Sequence, residues 1–83
     1  MKELKDKLLE GTYVFCKDGL YIDAKIYNVI EEEDKISLYF YDGSIDVYKD
    51  CIEEVESLPN VIWCYKIKNY LGQDMGFINK LKE

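Results

Sequence analysis

The chain has 83 residues and a net charge of −6, and it is 48% hydrophobic and 14% aromatic. That apolar content excludes a disordered chain, while the length allows one domain, spanning 1–83, with a thin core. Histidine is absent and all eleven cations are lysine, so the chain lacks the side chain that titrates near neutrality and the bidentate clamp for phosphate or carboxylate; enzymatic and nucleic-acid-binding functions both lose ground.

Residues 2–10 predict a short helix. Leu4 and Leu8 lie one turn apart with Leu9 beside them, and Gly11 stands where a helix stops. Residues 12–50 predict a three-hairpin sheet with turns at Asp18-Gly19, at Glu31 to Asp34 and at Asp42-Gly43. Asp-Gly suits a two-residue type I′ turn because both positions need positive φ. Residues 51–57 read as a single helical turn, and Leu58-Pro59-Asn60 breaks the chain. Residues 61–68 are β-prone and read as a fifth strand. Residues 72–76 read as a turn, and 77–82 form a short terminal element, a helical turn or a sixth strand. The predicted fold is mainly β, a small five-stranded antiparallel barrel with a short N-terminal helix.

The turns set a register. Asp18-Gly19 pairs Phe15 with Ile22 and Tyr13 with Ala24. Asp42-Gly43 pairs Phe40 with Ile45 and Leu38 with Val47. Pairing Ile30 with Ile36 in the middle hairpin sets Asn28 against Leu38. These choices turn one set inward: Tyr13, Phe15, Leu20, Ile22, Ala24, Ile26, Ile30, Ile36, Leu38, Phe40, Ile45 and Val47. A one-residue slip would turn all of them outward.

The same register puts Val14, Cys16, Tyr21, Lys25, Tyr27, Val29, Tyr39, Tyr41 and Tyr48 on the outer face, with Tyr27 opposite Tyr39 and Lys25 opposite Tyr41. Such tyrosines stiffen a small sheet through cross-strand pairs, or they form a recognition surface of rigid apolar bodies with polar tips. Charge supports the second reading. Residues 1–17 carry +1, residues 18–56 carry twelve acids against three lysines, or −9, and residues 57–83 carry +2. An acidic middle repels nucleic acid and anionic membrane and attracts a basic protein surface. The candidate partner-binding residues are therefore Tyr21, Tyr27, Tyr39, Tyr41 and Tyr48, with Glu32, Glu33 and Asp46.

No catalytic or metal site is expected, and no cofactor. Cys16, Cys51 and Cys64 lack C-x-x-C spacing and have no histidine as fellow ligand or base. An odd cysteine count and no signal peptide point to reduced thiols in the cytoplasm. The longest apolar runs fall far short of the ~20 residues of a membrane span.

Within residues 11–52, the run Gly11, Val14, Asp18-Gly19, Tyr21-Ile22-x-Ala24-x-Ile26, Ile36-x-Leu38-x-Phe40-x-Asp42-Gly43, Val47 and Ile52 resembles a Tudor-type domain of the Src-homology-3-like barrel group. The resemblance implies a small barrel with an interaction role. It places Tyr21 and Phe40 at positions of the aromatic cage with which that family holds methylated lysine or arginine. Ile22 stands where the second aromatic is expected, and no tyrosine separates Asp42 from Gly43, so the cage is incomplete.

The expected function is a non-enzymatic protein-interaction module that binds a basic protein surface through an acidic, tyrosine-rich face. Its sharper form is an inhibitor from a phage or other mobile element that occludes a nucleic-acid-binding protein, as anti-CRISPR proteins do. The alternative is a small-ligand or nucleotide binder acting as an oligomer, with a homodimer the simplest case.

Overall fold

The structure, a computed structural model, describes residues 3–56 and 59–82. It contains one short helix, α1 (Leu4–Leu9), and eight strands. These are β1 (Thr12–Lys17), β2 (Leu20–Lys25), β3 (Asn28–Glu31), β4 (Lys35–Phe40), β5 (Gly43–Tyr48), β6 (Ile52–Val55), β7 (Val61–Lys68) and β8 (Asp74–Leu81). A 3-10 turn, Lys49–Cys51, joins β5 to β6. All strand pairs are antiparallel. They form a five-stranded sheet in the order β2-β1-β8-β7-β6 and a three-stranded sheet in the order β3-β4-β5. The expected mainly-β class with an N-terminal helix holds; the described residues form eight strands rather than five, and neither sheet closes on itself.

Only Ile26 and Tyr27 separate β2 from β3, and the chain crosses there from one sheet to the other. The Tyr27 N–H donates to the Tyr39 carbonyl at 2.8 Å, extending the β3–β4 ladder towards the bend. Between the sheets lies the core of Leu8, Tyr13, Ile26, Val29, Ile36, Leu38, Val47, Trp63, Tyr65, Ile67 and Ile78. Alternation builds it: along β7, Val61, Trp63, Tyr65 and Ile67 point inward while the residues between them are more exposed. Leu8 of α1 is fully buried, and α1 packs against β3.

The first hairpin has the expected register, with Phe15 opposite Ile22 and Tyr13 opposite Ala24. Asp18 and Gly19 have φ of 54° and 81°, as a type I′ turn requires. The middle hairpin is corrected by one residue. Val29 faces Leu38 and Glu31 faces Ile36, so Val29 is buried and Ile30 is 42% exposed. The bend at Ile26 and Tyr27 resets the alternation, which is why Ile26 and Val29 are both inside at a spacing of three. The third hairpin is corrected by two residues: Phe40 faces Gly43, and Leu38 faces Ile45. Its loop is Tyr41-Asp42, and a shift of two preserves the buried face. Leu20 and Ile22 of the expected inner set are exposed at 71% and 39%, because β2 ends its sheet and nothing packs beyond it.

The C-terminal third departs most from expectation. Residues 61–68 do form a strand. Over 51–57, strand β6 follows the 3-10 turn instead of a helical turn, with Glu53 opposite Lys66 and Ile52 opposite Ile67; residue 57 lies outside the described residues. Residues 72–76 are not one turn, since β8 begins at Asp74. Gly76, with φ 112°, lies within that strand because a Cβ there would stand 2.3 Å from the Val14 carbonyl oxygen. Of the two options for residues 77–82 the strand is the one formed, as part of the eight-residue β8 seated between β1 and β7. Gly11 serves close packing, since a Cβ there would lie 2.6 Å from the Trp63 ring.

Candidate functional site

A groove of about 590 Å³ opens between the two sheets at the end where the first hairpin meets the β4–β5 turn. Its inner lining comes from alternate residues of three strands: Tyr13 and Phe15 of β1, Ile22 and Ala24 of β2, and Ile45 of β5, with Phe40 at the end of β4. The Tyr13 ring stacks between Phe15 and Phe40, at centroid distances of 5.1 and 5.4 Å. The Tyr13 hydroxyl donates to the Met75 carbonyl across to β8, which ties this aromatic stack to the five-stranded sheet. Burial pushes the Tyr13 phenol above its usual range, because the charged form would lose its hydration.

Exposed groups surround the groove: Asp23 and Lys25 on β2, Tyr27 in the bend, and Tyr41, Asp42, Gly43 and Ser44 at the β4–β5 turn. Tyr41 is 91% exposed. The Lys25 ammonium lies over the Tyr27 ring, 5.8 Å from its centroid. No neighbour comes within 4 Å of where a Gly43 Cβ would sit, and the space there is open. Stacked rings at the base and carboxylates with phenols at the mouth can accept an apolar or cationic side chain.

The eight sequence-derived site residues are all exposed, and they do not form one surface. Tyr27 and Tyr41 belong to the groove. Tyr39, Asp46 and Tyr48 share the outer face of the three-stranded sheet, where Tyr39 faces Ser44, Asp46 faces Ser37 and Tyr48 faces Lys35. The Ser37 hydroxyl donates to Asp46 at 2.7 Å, and Lys35 lies 3.7 Å from the same carboxylate. Glu32 and Glu33 sit in the exposed β3–β4 turn. Tyr21 stands apart on the five-stranded sheet, opposite Cys16, in a second depression with Phe15, Met75 and Phe77. The expected opposition of Tyr27 to Tyr39 is corrected: Asn28 faces Tyr39. Lys25 faces Thr12 on β1 rather than Tyr41.

Sequence reasoning placed Tyr13, Phe15, Phe40 and Ile45 inside and missed them as groove lining. A small domain that turns three aromatics towards one end of a thin core was the available signal. Among the described residues, no group of three or more His, Cys, Asp or Glu is placed to hold a metal ion, and no helix is long and apolar enough to cross a membrane. Cys16 is exposed, and Cys51 and Cys64 are half-buried; burial pushes the Cys64 thiol up. Comparison with family models, curated proteins and solved structures gives no match.

Proposed function

We propose that the chain is a non-enzymatic interaction module that binds a basic protein surface, seating a cationic or partly apolar side chain in the groove beside Tyr27 and Tyr41. The observation that carries this reading is the stacked Tyr13–Phe15–Phe40 base, left open between Tyr41, Asp42 and Asp23. The −9 charge of residues 18–56 speeds encounter with a cationic partner, and the aromatic groups supply the short-range energy. Tyr39, Tyr48 and Asp46 extend the surface around the sheet, and Glu32 and Glu33 act at its far end, mainly through their field.

The Tudor-type barrel belongs to the same proposal. Its support is the antiparallel run β1 to β5 in chain order, bent once at Ile26 and Tyr27, with the groove between the first hairpin and the β4–β5 turn. The β7–β8 hairpin lies between β6 and β1 and leaves the sheet open.

The test is capture from a lysate of the source cell, with affinity then measured against ionic strength. A basic partner should be retained by the unaltered chain, released by salt, and lost with Tyr27→Ala/Tyr41→Ala. Glu32→Ala should alter mostly the on-rate. Binding indifferent to salt and to both tyrosines would remove the groove from consideration. The groove's volume, within the ~300–1,000 Å³ of small-molecule sites, also supports a second reading, a small aromatic ligand; a melting shift with nucleosides and no protein partner would favour it.

A further inference from the structure

We propose that the free edge of β2 pairs antiparallel with the same edge of a second copy of this chain, about a two-fold axis at Ile22. Among the described residues, β2 ends the five-stranded sheet and pairs with β1 alone. The first hairpin fixes which backbone groups are free. In a two-residue type I′ turn, the residues flanking the turn form a hydrogen-bonded pair. Lys17 with Leu20 is that pair, and alternation makes Phe15 with Ile22 and Tyr13 with Ala24 hydrogen-bonded too. The N–H and C=O groups of Tyr21 and Asp23 therefore point away from β1, towards the open edge.

Asp23 and Lys25 are the charged side chains on this edge strand, and neither stands opposite a like charge in the pairing proposed. The strand has no proline and its register with β1 is unbroken. Leu20 and Tyr21 are exposed at more than two thirds of their surface, and Ile22 at 39%.

The side chains select the partner and the register. With the axis at Ile22, that residue meets its own copy, Leu20 meets the second copy's Ala24, and Tyr21 meets the second copy's Asp23. Each pair lies on one face, and no like charges stand opposite. The Tyr21 and Asp23 backbones exchange hydrogen bonds in this register. Moving the axis to Asp23 would set carboxylate against carboxylate. Moving it to Tyr21 would shorten the paired stretch to Leu20–Ile22 and leave Asp23 and Ala24 out of it.

This interface borders the groove, whose lining includes Ile22, Asp23 and Ala24, but it forms without a basic partner, and its salt response has the opposite sign. Each copy carries −6, so added salt screens the repulsion and strengthens the dimer. Sedimentation velocity of the chain alone, over a concentration series at low and high salt, tests it. A dimer fraction that rises with concentration and with salt is expected. Ile22→Lys should abolish it while far-ultraviolet dichroism stays unchanged, whereas Ile62→Lys, at another exposed apolar position, should leave it intact. With Cys16, Cys51 and Cys64 replaced by serine, Ile22→Cys should oxidise to a disulfide-linked dimer. The axis pair is a non-hydrogen-bonded one with Cα atoms about 4.5 Å apart, within disulfide range. A monomer at every concentration, a dimer insensitive to Ile22→Lys, a dimer that salt weakens, or failure of Ile22→Cys to cross-link would each overturn the proposal.

Discussion

Two isoleucines separate the open two-sheet architecture from the expected five-stranded barrel, in which residues 77–82 are only a short terminal element. Ile78 is fully buried on β8, opposite both Tyr13 and Tyr65, in a segment that such a barrel leaves peripheral. Ile30 is 42% exposed, although an unbroken alternation from Ile26 would bury it. Ile78→Ala removes every side-chain carbon beyond Cβ. At ~0.8 kcal/mol for each buried carbon, the lost transfer energy is roughly 2.4 kcal/mol. The cavity left among Tyr13, Tyr65 and the neighbouring core adds about 1 kcal/mol or more, for a total of about 3–4 kcal/mol. Ile30→Ala loses about 1 kcal/mol and opens no cavity. In a domain of this size each kcal/mol moves Tm by about 4–8 °C, so Ile78→Ala should melt at least 12 °C lower and Ile30→Ala less than about 8 °C. Urea titration with a common m-value is the assay. An Ile30→Ala cost of about 3–4 kcal/mol would refute the register of β3, and an Ile78→Ala cost of only about 1 kcal/mol would return residues 74–81 to the periphery.

Two further predictions follow from local geometry. Gly76→Ala should cost more than about 2 kcal/mol, since its φ of 112° and the Val14 carbonyl 2.3 Å from the added Cβ force β8 off β1; Gly43→Ala, with open space around it, should be neutral or slightly stabilising, and equal thermal shifts would contradict the close approach. The second concerns alkaline stability. Burial raises the folded-state pKa of Tyr13 above the unfolded value, so the folded state holds its proton more tightly. That contribution is complete below about pH 10 and is lost as pH rises through the folded pKa. Tyr13→Phe should cost about 1 kcal/mol at pH 8 through loss of the hydrogen bond to Met75 and should flatten the decline that begins above about pH 10. An identical alkaline slope in the variant would assign that decline to other groups.

The first hairpin was legible because its information is local. Asp18-Gly19 dictates a turn type, the turn type dictates the register, and alternation then assigns Tyr13, Phe15 and Ala24 to the side facing the other sheet. The middle hairpin was not, because the bend at Ile26 and Tyr27 changes sheets and carries no glycine or proline to announce it. An unbroken period of two therefore overran it by one residue. The glycines of 72–76 misled in the opposite direction. Gly72 does serve a turn, where the Asn69 side chain accepts from the Leu71 and Gln73 amides. Gly76 instead lets two strands approach, a requirement set by Val14 sixty-two residues earlier. No local signal encodes that contact.

The site divides along the same line. Which tyrosines are exposed could be read from alternation, and all five candidate tyrosines are exposed. Which of them act together could not, because that depends on the relation of the two sheets. Tyr39 and Tyr41 are two positions apart on one turn-proximal segment, yet Tyr39 lies on the outer sheet face and Tyr41 at the groove. Tyr21 shares the sequence spacing of the others but faces Cys16 on a different sheet. The groove exists because Phe15 and Phe40, read as ordinary core, meet only through Tyr13 and leave one side of that stack uncovered. A thin core explains this. Eighty-three residues divided between two sheets do not supply enough apolar volume to fill both ends of the sandwich. The end between the first hairpin and the β4–β5 turn stays open as the groove.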